Sequence, residues 1–180
     1  MCDRLPALGC VVLLMVTSAQ AALLTGQTVQ TTFYYPDLST VYSVGGGPVN
    51  SLVGPGVELT TIPGPPYIAS IDMSDTSILL TMTYSGTGYV SQFNGWQFSD
   101  VNGTIPPIGG ASLTTDMSGI VLTFDTDNIW LNFSGVTYSP ARYARVDLTA
   151  IPEPGVMWLL GGGVMTLCLR RRKSSLSRIL

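Results

Sequence analysis

Glycine and proline divide the middle of this chain into short segments, and this punctuation limits the possible fold more than any other feature. Loop-forming clusters lie at residues 45–48, 54–56, 63–66 and 106–107, and such clusters favour turns over regular structure. The segments between them are rich in Thr, Val, Ile, Tyr and Phe, which favour β-strands. No convincing amphipathic helix is present. The middle of the chain is therefore predicted to be all-β.

The predicted strands follow from this composition and from the alternation of apolar and polar residues. They are expected at residues 28–35, 40–44, 57–62, 67–72, 77–84, 90–98, 120–125, 128–133 and 143–150. Ile129, Leu131 and Phe133 share one face, as do the apolar residues before the turn at 125–128, which predicts a hairpin. Short strands at this spacing, without an internal repeat, predict a single antiparallel β-sandwich or jelly-roll-like domain over residues 22–150.

Charge and reactive residues are distributed unevenly. Residues 22–151 carry two basic side chains against nine acidic ones, a formal charge of −7. A lysine-free acidic domain repels phosphate backbones, so we predict no nucleic-acid partner. The chain has no histidine, and Cys2, Cys10 and Cys168 all lie in its apolar end segments. The middle section therefore offers no histidine base, no cysteine nucleophile and no Cys/His zinc site, and we predict no cofactor.

Two kinds of site stay open in the middle section. Asp125 and Asp127 could serve a two-carboxylate hydrolase or, with Asn128, bind calcium. Their turn position favours backbone capping instead, so we predict no enzyme activity, no catalytic residues and no metal site. Aromatic side chains could also form a sugar-binding platform, although most of them are expected in the core. The candidates are Tyr34, Tyr35, Tyr84, Tyr89, Trp96, Trp130 and Tyr138.

Residues 1–21 are predicted to be a removable secretion signal. Arg4 lies near the amino terminus, an unbroken apolar run spans residues 7–16, and Ala19 and Ala21 occupy the −3 and −1 positions for cleavage. This order is typical of a signal peptide. The run is too short for a permanent anchor, which needs about 20 residues. We therefore predict export by the Sec machinery and cleavage by signal peptidase after Ala21.

The last thirty residues contain three parts in a fixed order. The parts are the tripeptide Pro152-Glu153-Pro154, the uncharged run 155–169, and the basic block Arg170-Arg171-Arg172-Lys173. A helix over residues 155–169 would rise roughly 22 Å, which is short of about 30 Å of hydrocarbon. Basic residues that flank a span stay in the cytoplasm. We predict a short transmembrane helix, a domain outside the membrane and a cytoplasmic tail over residues 174–180.

This C-terminal pattern, over residues 151–173, resembles the PEP-CTERM sorting signal of exopolysaccharide-producing Gram-negative bacteria. The resemblance implies recognition by a membrane-embedded exosortase, which is thought to cut near the Pro-Glu-Pro and to release or transfer the body to the surface or matrix. The body also resembles those of other proteins with this signal, at residues 34–38 (YYPDL) and 93–100 (FNGWQFSD). Such bodies have no assigned activity that the resemblance could transfer.

Together these features predict an exported cell-surface or extracellular-matrix protein that is anchored only transiently in the inner membrane. We expect a non-enzymatic structural component of the exopolysaccharide or biofilm layer, with exopolysaccharide as a further partner. A lectin-like carbohydrate-binding module is the alternative. A secreted hydrolase is a weaker alternative, because the middle section lacks histidine and cysteine and its carboxylates are scattered.

Overall fold

The computed structural model describes residues 23–43, 47–60 and 68–151, and every regular element in these ranges is a β-strand. The strands are β1 (Thr28–Tyr34), β2 (Val49–Leu52), β3 (Val57–Leu59), β4 (Ala69–Ser74), β5 (Ser77–Met82), β6 (Gly86–Thr87), β7 (Gly95–Asp100), β8 (Ile108–Thr115), β9 (Val121–Phe124), β10 (Asn128–Asn132), β11 (Thr137–Tyr138) and β12 (Tyr143–Ala150). The predicted all-β class is confirmed.

Ten of these strands form two five-stranded sheets in which neighbouring strands are antiparallel. One sheet has the order β2-β1-β7-β10-β9 and the other has the order β3-β4-β5-β12-β8. Two of the crossings between the sheets join edge strands, from β2 to β3 and from β8 to β9. The remaining strands, β6 and β11, pair in a separate ribbon. The predicted antiparallel β-sandwich is confirmed.

One hydrophobic core is shared by the two sheets, because side chains alternate between the two faces of each strand. In β12, Ala144, Val146 and Leu148 are buried whereas Arg145 is exposed. Leu131 of β10 is buried in the same core from the opposite sheet. Burying each large aliphatic side chain contributes about 1.5–3 kcal/mol. A slip of one residue would expose the buried set, so this alternation also fixes the strand register.

Most predicted strands are found with small changes at their ends, and β12 matches its predicted range. The strand predicted at 40–44 is wrong, because Val41 forms only an isolated bridge with Tyr34. The preceding residues are held in a turn, where the Asp37 carboxylate accepts the backbone N–H and hydroxyl of Ser39. The strand predicted at 90–98 begins only at Gly95.

Strands β2, β6, β8 and β11 are missing from the prediction. Gly109 and Gly110 make β8 resemble a loop in sequence, but a Cβ on Gly109 would lie 2.9 Å from the Ile151 side chain and one on Gly110 would lie 2.7 Å from the Thr149 hydroxyl. These glycines therefore allow close packing beside β12. The strand predicted at 67–72 begins at Ala69.

Both described chain ends lie at the same end of the sandwich. The backbone N–H groups of Leu23 and Leu24 each donate to the Asp75 carbonyl at 3.0 Å, in the turn between β4 and β5. The last strand passes the same turn, where the N–H of Leu148 donates to the Thr76 carbonyl at 2.8 Å. The chain therefore enters and leaves the sandwich at one end. Among the described residues no helix could cross a membrane, and the predicted signal peptide and C-terminal helix lie outside these residues.

Candidate functional site

A surface cleft of about 270 Å³ lies at the end of the sandwich opposite the described chain ends. Strand β5 runs from the turn beside the chain ends to Met82, and Tyr84 follows it into the cleft wall. The ribbon of β6 and β11 forms another part of the wall. None of the described residues that line the cleft carries a charge. The aromatic and amide side chains among them are Phe33, Tyr84, Tyr89, Asn94, Trp96, Phe133 and Tyr138.

Tyrosine rings dominate the outer part of this cleft. Tyr84 and Tyr89 are 61% and 69% exposed, whereas Tyr138 is half-buried and packs against the core. Burial raises the pKa of the Tyr138 phenol above its usual 10.0, and the neighbouring Tyr89 raises it further. Tyr138 is therefore a neutral hydroxyl at physiological pH, able both to donate and to accept a hydrogen bond.

Two glycines allow close contacts in the ribbon and directly after β6. A Cβ on Gly86 would lie 2.8 Å from the Tyr138 hydroxyl oxygen, and one on Gly88 would lie 2.1 Å from the Phe133 carbonyl oxygen. The N–H of Gly88 donates to the Val136 carbonyl at 2.9 Å. A side chain at Gly86 would displace the Tyr138 ring, and one at Gly88 would push this segment away from the Phe133 backbone, so both glycines contribute to the shape of the cleft.

The loop that carries Tyr89 is held at several points. The buried Asn94 side-chain amide donates to the Tyr89 carbonyl at 3.0 Å. The backbone N–H of Ser91 donates to the Ser134 hydroxyl oxygen at 2.9 Å, and that hydroxyl donates to the Ser91 carbonyl at 2.9 Å. Because the backbone of this loop is already fixed, a ligand that contacted Tyr89 would have to order only its side chain, which lowers the entropic cost of binding.

Trp96 bounds the cleft on its core side and is fully buried. Its ring centroid lies 5.0 Å from that of Phe33 and 5.0 Å from that of Phe133, in edge-on contacts. Within the described part of the chain, its indole N–H has no hydrogen-bond acceptor. Such a buried unpaired donor costs about 1–3 kcal/mol, and native proteins generally supply it with a partner such as water.

The structure brings together four of the seven aromatic residues proposed from sequence, namely three tyrosines and Trp96. Tyr35 is a neighbour, with its ring centroid 5.9 Å from that of Tyr89, whereas Tyr34 and Trp130 do not line the cleft. The expectation that most of the seven fill the core is wrong, because Trp96 alone among them is fully buried. Asn94 is a lining residue that was not predicted from sequence, because its burial and its bond to the Tyr89 carbonyl depend on the tertiary structure.

The carboxylate pair proposed from sequence lies in the turn between β9 and β10. The Asp125 Oδ1 accepts the backbone N–H groups of Asp127 at 2.8 Å and of Asn128 at 2.7 Å. Burial acts to raise the pKa of Asp125, but the hydrogen bonds from Asp127 and Asn128 outweigh it and hold the pKa below 3.8. The predicted capping role is confirmed. Within the described ranges, no group of three or more acidic, Cys or His residues could hold a metal ion.

The C-terminal tail continues directly from the sandwich. Ile151 follows β12, and its N–H donates to the Pro107 carbonyl at 2.9 Å. The family model of the PEP-CTERM protein-sorting motif matches residues 150–173. The chain therefore carries a PEP-CTERM sorting motif. The motif implies export, membrane-anchored sorting and processing by an exosortase.

The PEP-CTERM motif begins where the folded body ends, since the last residue of β12 is Ala150. Its predicted working parts, the tripeptide at 152–154 and the basic block at 170–173, lie outside the described residues and remain predictions, as do Ala19 and Ala21. No curated protein and no solved structure matched this chain.

Proposed function

We propose that this protein is a non-enzymatic component of the extracellular polysaccharide layer, delivered to the surface as a compact β-sandwich. The observation that carries the proposal is the direct junction between body and sorting motif, with β12 ending at Ala150 and the motif match beginning there. The body has no cysteine, so its fold depends on its hydrophobic core, and it joins the sorting motif without a separate linker. These features suit a domain with a structural role in the layer.

Five of the nine carboxylates in residues 22–151 support a non-enzymatic role, because their oxygen atoms hold the backbone. Asp37, Glu58, Asp100, Asp116 and Asp125 each accept at least one backbone N–H. A glycosidase needs two carboxyl groups that face one substrate bond. Side chains engaged with the backbone of separate turns are poorly placed for that task.

Mass spectrometry of the protein from its native cells, with fractionation of cells and matrix, tests this proposal. We expect mature ends near Ala22 and near Pro152, and recovery of the body from the extracellular layer. Replacing Pro152, Glu153 and Pro154 together by alanine should leave the tail attached. Replacing the distant Ser174 and Ser175 by alanine should still allow the tail to be removed. A surface protein that keeps residues 155–180 would refute tail processing.

A second candidate function is saccharide binding by the body, and the tyrosine cleft favours it. Sugars bind to proteins through contact with aromatic faces and a few polar groups, and the cleft has both. Binding of the exported protein to polysaccharide from its own host tests this function. A secreted hydrolase would regain support if the protein degraded that polysaccharide and if Asp125→Asn with Asp127→Asn abolished the turnover.

A further inference from the structure

We propose that the cleft formed by Tyr84, Tyr89 and Tyr138 binds one ring of an uncharged polysaccharide and discriminates against acidic glycans. This inference rests on the second candidate function, saccharide binding, and adds the location of the site and the chemical class of its ligand. It requires three properties of the cleft: aromatic faces that a ligand can reach, an uncharged polar lining, and access for a chain longer than the ring that is bound.

The aromatic faces come from residues with large exposed areas. Tyr84 and Tyr89 are each more than half exposed, and the loop of Tyr89 is fixed by Asn94 and by the hydrogen bonds between Ser91 and Ser134. An exposed tyrosine ring offers an apolar face and a hydroxyl edge to a ligand. The C–H face of a pyranose matches such a surface, and its hydroxyl groups match the tyrosine edges.

The polar lining selects for an uncharged ligand. The cleft has no charged side chain among its described lining residues, so a bound carboxylate or sulfate would lose its hydration without gaining an ionic partner, which is costly. Elsewhere in residues 22–151 the two basic residues are already paired, Arg142 with Asp116 at 3.3 Å and Arg145 with Asp147 at 2.7 Å. The surrounding charge of −7 adds a general repulsion of polyanions.

The size and position of the cleft favour the binding of one sugar ring within a long polysaccharide. Its volume of about 270 Å³ is slightly below the roughly 300–1,000 Å³ usual for complete small-molecule sites. The cleft is at the end of the sandwich opposite Leu23 and Ile151, so the first and last described residues lie away from it.

Tryptophan fluorescence provides a local readout of binding. The chain has three tryptophans, Trp96, Trp130 and Trp158, so the variant W130F/W158F leaves Trp96 beside the cleft as the only indole. We would purify this full chain in a detergent without a sugar headgroup and titrate it with hexamers of neutral glucans, mannans and galactans, and with oligogalacturonate and alginate oligomers. At least one neutral hexamer should change the Trp96 emission, and the acidic oligomers should bind at least tenfold more weakly.

Variants of the cleft test the site itself. Tyr84→Ala and Tyr89→Ala should each weaken binding of the neutral hexamer about tenfold, the loss expected for one aromatic contact. Tyr89→Phe keeps the ring and should retain most of the affinity, which a purely polar contact would not predict. Tyr34→Ala removes a tyrosine outside the cleft and should leave the affinity unchanged. Thermal unfolding of every variant identifies any that fails to fold.

The possible outcomes separate the inference from the functions on which it depends. If host polysaccharide binds but the folded Tyr84 and Tyr89 variants bind as the unaltered chain does, the site is wrong and saccharide binding stands. If acidic oligomers bind as well as neutral ones, the proposed ligand class is wrong. If neither host polysaccharide nor any oligomer binds, both saccharide binding and the inference fail, while delivery to the extracellular layer is judged separately from its mass spectra.

Discussion

Gly95, the first residue of β7, is expected to tolerate no side chain. A Cβ at this position would lie 1.9 Å from the carbonyl oxygen of Leu131, where ordinary contact begins at 3.4 Å. In Gly95→Ala, β7 and β10 would therefore have to separate by about 1.5 Å at this point. The clash is with backbone on the neighbouring strand, so rotation of a side chain cannot relieve it.

The expected destabilisation by Gly95→Ala can be built from two contributions. Overpacking of this kind costs about 1–3 kcal/mol. Separation would also weaken nearby hydrogen bonds, including the one from the Phe133 N–H to the Asn94 carbonyl at 2.7 Å, and each typical bond contributes about 0.5–1.5 kcal/mol. We therefore expect the free energy of unfolding to fall by about 3 kcal/mol.

Urea denaturation of the exported protein, followed by circular dichroism, measures this loss. Gly54→Ala is the matched control, because a Cβ on Gly54 would meet nothing within 4 Å and its φ is outside the left-handed region. Its stability should stay the same or rise by about 0.4–1 kcal/mol. If the free energy of unfolding of Gly95→Ala lies within about 0.5 kcal/mol of the unaltered protein, the close packing of β7 against β10 is wrong.

Three further predictions concern polar contacts of the body. The pKa of Asp125 is lowered in the folded state, so the ionised carboxylate stabilises the fold above its unfolded pKa, and this stabilisation is lost as pH falls through the lowered pKa. Asp125→Asn should therefore flatten the decline in melting temperature between roughly pH 5 and pH 2. The Glu58 carboxylate accepts the N–H groups of Gly54 at 3.0 Å and Met73 at 2.6 Å, so Glu58→Ala should lower the free energy of unfolding by about 2 kcal/mol; unchanged urea midpoints would contradict this. The Ser134 hydroxyl accepts the N–H of Ser91, so Ser134→Ala should speed hydrogen exchange of that amide. Exchange as slow as in the unaltered protein would refute this.

Strands with one apolar face and one polar face could be predicted from the sequence. In β12, Arg145 and Asp147 alternate with Val146 and Leu148, and this strand has its predicted bounds. Strand β8 was missed because its glycines are required by tertiary contacts with residues 149 and 151. Strand propensity reflects a residue and its neighbours along the sequence, so it does not include such tertiary contacts.

The tyrosine cleft shows a similar limit. Tyr84, Tyr89 and Tyr138 are among the aromatic candidates from the sequence, but their proximity depends on the pairing of Thr137 with Thr87, fifty positions apart. Nothing in the local sequence specifies that pairing. The sorting tail was easier to recognise, because all of its features lie within one continuous stretch of chain and no tertiary contact is needed to assemble them.

The position of β12 has a mechanical consequence. This strand lies inside its sheet, with β5 on one side and β8 on the other, and the sorting motif continues from its end. Tension applied through that end would pull the strand along its own axis, across two ladders of hydrogen bonds perpendicular to the load. These bonds would resist together in shear, whereas a strand peeled from an edge yields one bond at a time. A domain tethered through β12 would therefore resist drag before the tail is cut.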